Sequence, residues 1–598
     1  MRRIVFLLVL TTAIFGAIAP FCLQTRYYSL ASPLRKFYSY EELKSFVKAS
    51  LELPYYYWGL PDSALLRPSF SLDLKPNSLE SYALKSSVPE YSTTNIQVEG
   101  VDEADVVKTD GEYIYVVSGG NVTILRAYPA EDAEVLSQIR LNGTVKGVFI
   151  NGDRLVLFEE ASEISVKVYD ISNREIPVLK RPVSMSGRYV NSRMIGDYVY
   201  VVITEPAYFV EDEVSLPVIE YSDAVKEIYA SEIYYSDVPD YSYGFTTILA
   251  VNVQNDEEEP THETFMLGAT SGMYVSLTNI YITFPQSENT RIYRFHIQGS
   301  EIASAADGEV PGYVLNQFSM DEYEGYFRVA TTTGHVAKSS TQASSQNHVY
   351  ILNMNLTIVG RLEDLAPGEK IHSARFMGPR CYLVTFRKVD PLFVIDLEDP
   401  YNPQVLGKLK IPGYSDYLHP YDENHVIGIG KETVASEEGD FSWYQGVKIS
   451  LFDVSDVENP KEMDKYEIGD RGTESPVLSD HKAFLFDRSR NLLVLPVLVA
   501  EIDEEKYPGE PPPNTYGEYV FQGAYVFHIS LTEKIVLKGR ITHLENDNDL
   551  MKSGHYFFSP YAVKRSLYIG NVLYTISDKK IKMNNLENLD EINAVELP

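Results

Sequence analysis

Cysteine and tryptophan are the scarcest residues of this 598-residue chain, with two of each. Cys22 lies in an apolar stretch near the N-terminus and Cys381 in a strand-like pattern, so the sequence contains no disulfide framework. With 44% hydrophobic residues the chain can still build a large core. Its stability must therefore come from packing.

Positive charge is also in short supply. Lys and Arg total 52 against 84 Asp and Glu, which gives a net charge of −32. A surface this acidic repels phosphate backbones, so nucleic acid is excluded as a partner. Three explanations of the acidic surface remain open: a cationic partner, divalent metals or simply solubility. Tyrosine is abundant at 45 residues, and it suits half-buried strands and binding faces.

Several enzyme signatures are missing. The sequence has no Ser-x-Asp-x-Gly-x-x-Trp box of the sialidase kind and no Gly-x-Ser-x-Gly nucleophile motif. Trp58 and Trp443 alone cannot form the repeated docking pattern of quinoprotein dehydrogenases. We therefore expect no catalytic residue and no cofactor. An enzyme remains the alternative, because a pair of carboxylates leaves no local motif.

The N-terminus carries an uncharged segment, residues 4–23, behind Arg2 and Arg3. This segment is long enough to span a bilayer, and Ala17-Ile18-Ala19 also forms a signal-peptidase-type site. Because Pro20 should hinder cleavage there, we interpret residues 1–25 as an uncleaved membrane anchor, with a cleaved signal peptide as the alternative. Both interpretations place the rest of the chain on the extracellular side of the membrane, anchored or secreted.

Residues 26–98 differ in pattern from the remainder of the chain and are interpreted as a stalk. Ser39 and Glu42 form a capping box, which predicts a short helix through about Ala49. A helix of this length is marginal alone, so it should pack on the main body.

From residue 99 to residue 598 the pattern is one of short β-rich runs that repeat. Asp170, Asp396 and Asp453 each lie seven residues before a proline, in the form apolar-Asp-apolar-x-Asp/Asn-x-x-x-Pro. This form is typical of a strand that ends in an Asx turn. Tight-turn strand pairs precede each copy, and we count nine units, beginning near Val101, Thr144, Tyr189, Gly272, Val314, Lys370, Tyr414, Glu474 and Val563. The sequence predicts an all-β protein, a β-propeller of four-stranded blades. Nine blades are counted, but the two end units could merge, so eight or nine remain open.

Candidate site residues lie in two places. Asp102, Glu103 and Asp105 begin the first unit and could ligate a metal, although a capping or ring-closing role is the stronger interpretation. Arg193 and Arg375 each lie three residues before a turn glycine and suit hydrogen bonds to carboxylates. A second group of polar residues spans two units and comprises Glu369, His372, Arg375, Arg387, Asp390, His419, Asp422 and His425.

If the four strands of each unit are labelled A to D, insertions occur between strands B and C of four units, whereas the A–B turns stay tight. They cover residues 205–244, 332–346, 431–445 and 501–519. In a propeller all B–C loops emerge on one face, and they are rich here in Tyr and acidic residues. This face suits a protein or glycan ligand, with tolerated surface insertions as the alternative.

Long stretches of the chain resemble a known family. They are NIQVEGVDEADVVKTDG (95–111), APGEKIHSARFMGPRCYLVTFRKVDPLFVIDL (366–397), GKLKIPGYSDYLHPYDENHVIGIG (407–430), DHKAFLF (480–486) and RSLYIGNVLYTIS (565–577). The chain resembles the prokaryotic, largely archaeal secreted β-propeller proteins, which are distantly similar to WD-type repeats. This resemblance implies export and a propeller, and it brings no substrate or catalytic residue. We expect a binding or scaffolding module at the cell surface; the alternative is a hydrolase with carboxylates in the propeller channel.

Overall fold

The structure, a computed structural model, describes residues 34–51, 89–222, 224–236, 243–268, 270, 272–335, 344–386, 390–436, 441–546, 550 and 557–598. Residues 34–598 form one compact unit, so the described parts of the expected stalk belong with the blades. The candidate anchor at 4–23 and Trp58 lie outside the described residues. None of the helices that the structure describes is long and apolar enough to cross a membrane.

Within the described residues, nine antiparallel sheets follow one another along the chain, each built on four strands that we call A to D. Blade one contains Val107–Thr109, Tyr113–Ser118, Asn121–Arg126 and Glu134–Ile139; blade two Thr144–Asn151, Arg154–Glu160, Ile164–Asp170 and Val178–Met185; blade three Arg188–Ile195, Tyr198–Pro206, Gly244–Asn252 and Thr261–Leu267. Blade four contains Gly272–Val275, Asn279–Gln286, Asn289–Gln298 and Glu301–Pro311; blade five Met320–Tyr323 with Tyr313–Val314, then Tyr326–Thr333, Gln346–Asn353 and Ile358–Leu365; blade six Lys370–Met377, Arg380–Phe386, Asp390–Asp396 and Gln404–Ile411. Blade seven contains Tyr414–Asp422, His425–Ala435, Ser442–Asp453 and Lys461–Ile468; blade eight Leu485–Asp487, Leu492–Glu501, Glu518–Ser530 and Lys534–Ile541; blade nine Arg565–Ile569, Val572–Ile576, Lys580–Asn585 and Glu591–Glu596.

The remaining described elements are short. They are helix α1 at Tyr40–Leu51, the 3₁₀ turns Ala130–Asp132, Ala230–Glu232, Gln317–Ser319, Pro476–Leu478, His481–Ala483 and Glu504–Lys506, and the strands Arg35–Lys36, Asp102–Glu103, Phe209–Val210, Glu213–Val214, Val218–Tyr221, Ala224–Glu227 and Ile233–Tyr235.

The fold is the predicted β-propeller, and the sheet count is the higher of the two expected values. The Asx turns of the repeat are present as well. Asp170, Asp396 and Asp453 each accept a hydrogen bond through Oδ1 from the backbone N–H two residues later, at 2.9, 3.1 and 2.9 Å. The repeated aspartates therefore fix the turn after strand C, which is why they recur in the sequence.

The ring closes by packing of blade nine against blade one. Nine clusters of buried apolar side chains fill the nine junctions between neighbouring blades in the described part of the chain. The ninth cluster joins Ile114 and Val116 of blade one to Ile569 and Tyr574 of blade nine. The Tyr574 hydroxyl also donates to the Ala127 carbonyl at 2.6 Å. The first and last blades, far apart in the chain, are therefore neighbours in the ring.

The start of the first blade was predicted too early. Blade one begins at Val107, whereas Asp102 and Glu103 pair with Met194 and Arg193 in strand A of blade three. A ring of many blades has a wide centre, and the chain runs along the inner strands before it enters blade one. That path explains why Val101, Ala104 and Val106 do not alternate with polar residues as the apolar residues of a strand would.

The insertion of blade three is not the surface addition that the sequence suggested. Ile219 pairs with Met185 of blade two, and Ile233–Tyr235 runs parallel to strand D of blade three, so two blades gain outer strands. Helix α1 begins after Ser39, as predicted. Its Leu43 and Val47 are buried in the apolar cluster between blades two and three, to which Ile219 and Ile233 also belong. The insertion therefore contributes to the core between blades two and three.

Candidate functional site

The centre of the ring contains residues 89–106, which we call the channel segment. It makes hydrogen bonds to blades nine, seven, five and two in turn. These bonds are Gly570 N to Glu90 O (2.7 Å), Asn95 Nδ2 to Tyr417 OH (3.1 Å), Gln97 Nε2 to Gln317 O (3.1 Å) and Val148 N to Asp105 O (2.8 Å). The segment thus runs around the inside of the ring and ties distant blades together.

Each of the three metal candidates faces its own cation. Lys108 lies 2.6 Å from Asp102. Arg193 lies 3.2 Å from Glu103, and Arg565 lies 3.0 Å from Asp105. Among the residues that the structure describes, no group of three or more His, Cys, Asp or Glu side chains could hold a metal ion. This arrangement supports the ring-closing role that the sequence left open.

Burial controls the electrostatics of the channel. It raises the pKa of Glu103 to about 7, and the attraction of Arg193 opposes that rise only in part. Burial also lowers the pKa of Arg375 to about 9. Arg565 behaves in the opposite way: burial lowers its pKa, but Asp105 and Asp480 outweigh this effect and hold it above the usual value. The channel is therefore a buried polar core built around ion pairs.

In the structure, the second group of polar residues separates into local pairs. His425 Nδ1 lies 2.7 Å from Asp422, and His372 Nδ1 lies 3.5 Å from Asp416. His419 is buried against the Tyr417 hydroxyl at 2.9 Å, and burial holds its pKa well below the usual value. Arg387 lies outside the described residues. The crowding in sequence thus does not produce one shared site in this part of the fold.

A cavity of about 830 Å³ opens beside the channel segment, near the A–B turns of blades one to three. Among its walls are Asp110, Asp153 and Arg174. The Arg174 guanidinium lies 5.1 Å from the centre of the Tyr113 ring and 3.4 Å from Asp110. Sequence reasoning missed this cavity because its walls come from several blades, far apart in the chain.

The face of the B–C loops carries a set of aromatic residues around one arginine. We call Trp443, Tyr444, Arg471 and Tyr516 the platform. The Arg471 guanidinium lies 4.4 Å from the Tyr516 ring centre and 5.2 Å from that of Trp443. Its Nη1 donates to the Tyr444 carbonyl at 2.9 Å, and its Nη2 donates to the Tyr516 hydroxyl at 3.1 Å. One side chain thus joins the C strand of blade seven to the insertion of blade eight.

Further rings support the platform from blades six and seven. The Tyr444 ring contacts Tyr414 at 5.2 Å and Phe386 at 6.0 Å between centroids. Gln445 Nε2 donates to the Pro513 carbonyl at 2.9 Å and provides a second tie to the blade-eight insertion. The platform is therefore fixed from both sides. The sequence pointed to this face through its Tyr-rich insertions, but not to Arg471, which lies in the connection between blades seven and eight.

The closed ring of four-stranded sheets defines a β-propeller. The family model described as "Beta propeller domain" matches residues 91–589, and the chain belongs to this family.

One curated relative extends the match to nearly the whole chain. An uncharacterized protein of Methanocaldococcus jannaschii is 28% identical over 650 residues, covering 94% of this chain and 90% of the relative. Another uncharacterized protein, from Archaeoglobus fulgidus, is 29% identical over 567 residues and covers 77% and 85%. Among solved structures, AztD of Citrobacter koseri aligns with a TM-score of 0.35 and 11% identity, covering 81% of this chain and 97% of that one.

Proposed function

We propose that the protein is a binding or scaffolding module at the cell surface, held at the membrane through residues 4–23. Its contact face is the one that carries the B–C loops. The observation behind this proposal is the platform, where Tyr444 and Tyr516 stay 43% and 59% exposed although Arg471 donates to the Tyr444 carbonyl and to the Tyr516 hydroxyl. Exposed aromatic rings on a rigid scaffold are common at binding surfaces.

The alternative, a hydrolase with channel carboxylates, is less well supported. Glu103 and Asp105 are buried and committed to Arg193 and Arg565. A glycoside hydrolase needs two carboxyl groups that face its substrate.

Capture from envelope fractions tests the binding function. We would compare the full chain with a variant whose blade-eight insertion, residues 502–517, is replaced by a short Gly-Asn turn. Loss of captured material, with unchanged thermal melting, is the expected result. Equal capture by both chains would contradict the proposal, and turnover of a glycan or peptide panel would favour the enzyme.

The location is tested at the N-terminus. If residues 4–23 are an uncleaved anchor, the mature protein retains Arg2 or Arg3 and sediments with membranes. A soluble protein that begins between residues 18 and 25 would instead show a cleaved signal peptide.

A further inference from the structure

We infer that the platform binds a neutral oligosaccharide, an inference that rests on the binding function proposed above. The platform offers the surface that such a ligand needs: flat apolar rings for the C–H face of a sugar, with polar groups at their edges. Both exposed rings are tyrosines, so each combines an apolar face with a hydroxyl group.

The platform is ordered before any ligand arrives. Arg471 lies near the rings of both Trp443 and Tyr516, and its two hydrogen bonds hold the Tyr444 backbone and the Tyr516 hydroxyl. A ligand would therefore not have to immobilise these side chains, which removes much of the entropy cost of binding. A weakly interacting solute such as a sugar benefits most from a surface of this kind.

The charges in and around the platform disfavour charged ligands. Arg471 already occupies the cation position over the Tyr516 and Trp443 rings, so a second cation would be repelled there. An anion would meet a protein of net charge −32. A neutral ligand avoids both penalties, and its hydroxyl groups can donate to the carboxylate of Glu518, two residues after Tyr516, which is 79% exposed and also accepts from Lys506 at 2.9 Å.

Trp443 provides a built-in reporter for this inference. The chain has only two tryptophans, so Trp58→Phe leaves Trp443, beside Arg471, as the single tryptophan. We would titrate this variant with cellohexaose, β-1,4-mannohexaose and isomaltohexaose and follow the tryptophan emission. A saturable change with at least one of the three is expected.

Substitutions in the platform identify the contact. Tyr516→Ala should weaken binding by about tenfold or more, while Tyr516→Phe, which keeps the ring, should weaken it less. Tyr444→Ala provides a second, independent loss. The matched control is Tyr229→Ala, which removes a ring that is 62% exposed on the blade-three insertion and should leave binding unchanged. The inference would be overturned if none of the three sugars gave a saturable change. It would also be overturned if Tyr516→Ala and Tyr444→Ala bound a hexasaccharide as tightly as the protein without these substitutions.

The two proposals fail in different ways. If periodate oxidation of the envelope abolishes capture and the platform variants lose hexasaccharide binding, both stand. If capture survives oxidation and no hexasaccharide binds, the ligand is not a glycan and only the binding function stands. If neither envelope material nor a hexasaccharide binds, both proposals fall.

Discussion

Asp105 and Arg565, 460 positions apart in the chain, form a two-point ion pair in the centre of the ring. Arg565 Nε lies 3.1 and 3.2 Å from the two carboxylate oxygens, and its Nη2 lies 3.0 Å from Oδ1. Both side chains are buried. The same guanidinium also donates to Asp480, in the connection to blade eight. One arginine therefore joins the channel segment to the last two blades.

Removal of this arginine should be costly. In Arg565→Ala, Asp105 and Asp480 lose their common cation, and loss of one partner of a buried pair costs about 3–5 kcal/mol. Arg126→Ala is the matched control, because Arg126 pairs with Glu134 at 2.5 Å and the two side chains are 36% and 58% exposed. An exposed pair of this kind contributes about 1 kcal/mol or less. Urea unfolding of both variants measures the difference, and equal losses would contradict a buried anchor.

Truncation tests whether the ring behaves as one unit. Deletion of residues 560–598 removes blade nine and exposes the apolar cluster that it shares with blade one. Without blade nine, the apolar faces of blades one and eight lose their cover, so the whole remaining chain should melt at a lower temperature. Differential scanning calorimetry measures this. A truncated chain that melts at the same temperature, and as cooperatively, would instead indicate an open array of independent blades.

The blade-three insertion should matter for stability, contrary to the expectation from its place between strands B and C. Tyr235 is buried, stacks on Phe37 at 3.8 Å and donates to Glu42 at 2.9 Å. Tyr235→Ala should therefore cost about 3–5 kcal/mol, as expected for a large buried ring. Tyr229→Ala, in the same insertion but exposed, is the control. Thermal melting measures both variants. Equal melting temperatures for Tyr235→Ala and Tyr229→Ala would show that the insertion packs only loosely.

Cys381 should report on unfolding. Its thiol is fully buried in strand B of blade six, and burial raises its pKa to about 12. The reactive form is the thiolate, so the folded protein should not react with a disulfide reagent at pH 8. We would measure this in Cys22→Ser, which leaves a single thiol. Reaction should appear only with denaturant, at the unfolding midpoint; rapid reaction in buffer would mean that blade six opens locally.

The blades were predictable because their signals are local. An Asp that caps the turn after strand C and a tight turn between strands A and B recur in the sequence, and each needs only a few neighbouring residues. The starts of units two, four, six and seven, at Thr144, Gly272, Lys370 and Tyr414, match the strands directly. The core between blades then results from the alternation of side chains.

The channel and the platform were not predictable in the same way. Glu103 and Arg193, or Trp443 and Arg471, meet only after the ring has closed, and no spacing in the sequence records that contact. The insertion at 205–244 was misjudged for a related reason. Its buried residues, Ile219 and Ile233, are separated by polar loops, so its packing against blades two and three leaves no continuous pattern.

Glu103 should make stability depend on pH. Burial raises its pKa from 4.5 to about 7. Between these values the folded chain holds a proton that the unfolded chain releases, so folding loses stability as the pH rises. The contribution is complete below about pH 4.5 and is lost as the pH passes through 7. In Glu103→Gln the side chain stays neutral, and this part of the decline should disappear. Urea unfolding at pH 5, 6 and 7 measures both proteins, and the titration of all other groups cancels in the comparison. Parallel curves would mean that Arg193 keeps Glu103 ionised throughout, and that the channel pair is a fixed ion pair at every pH in this range.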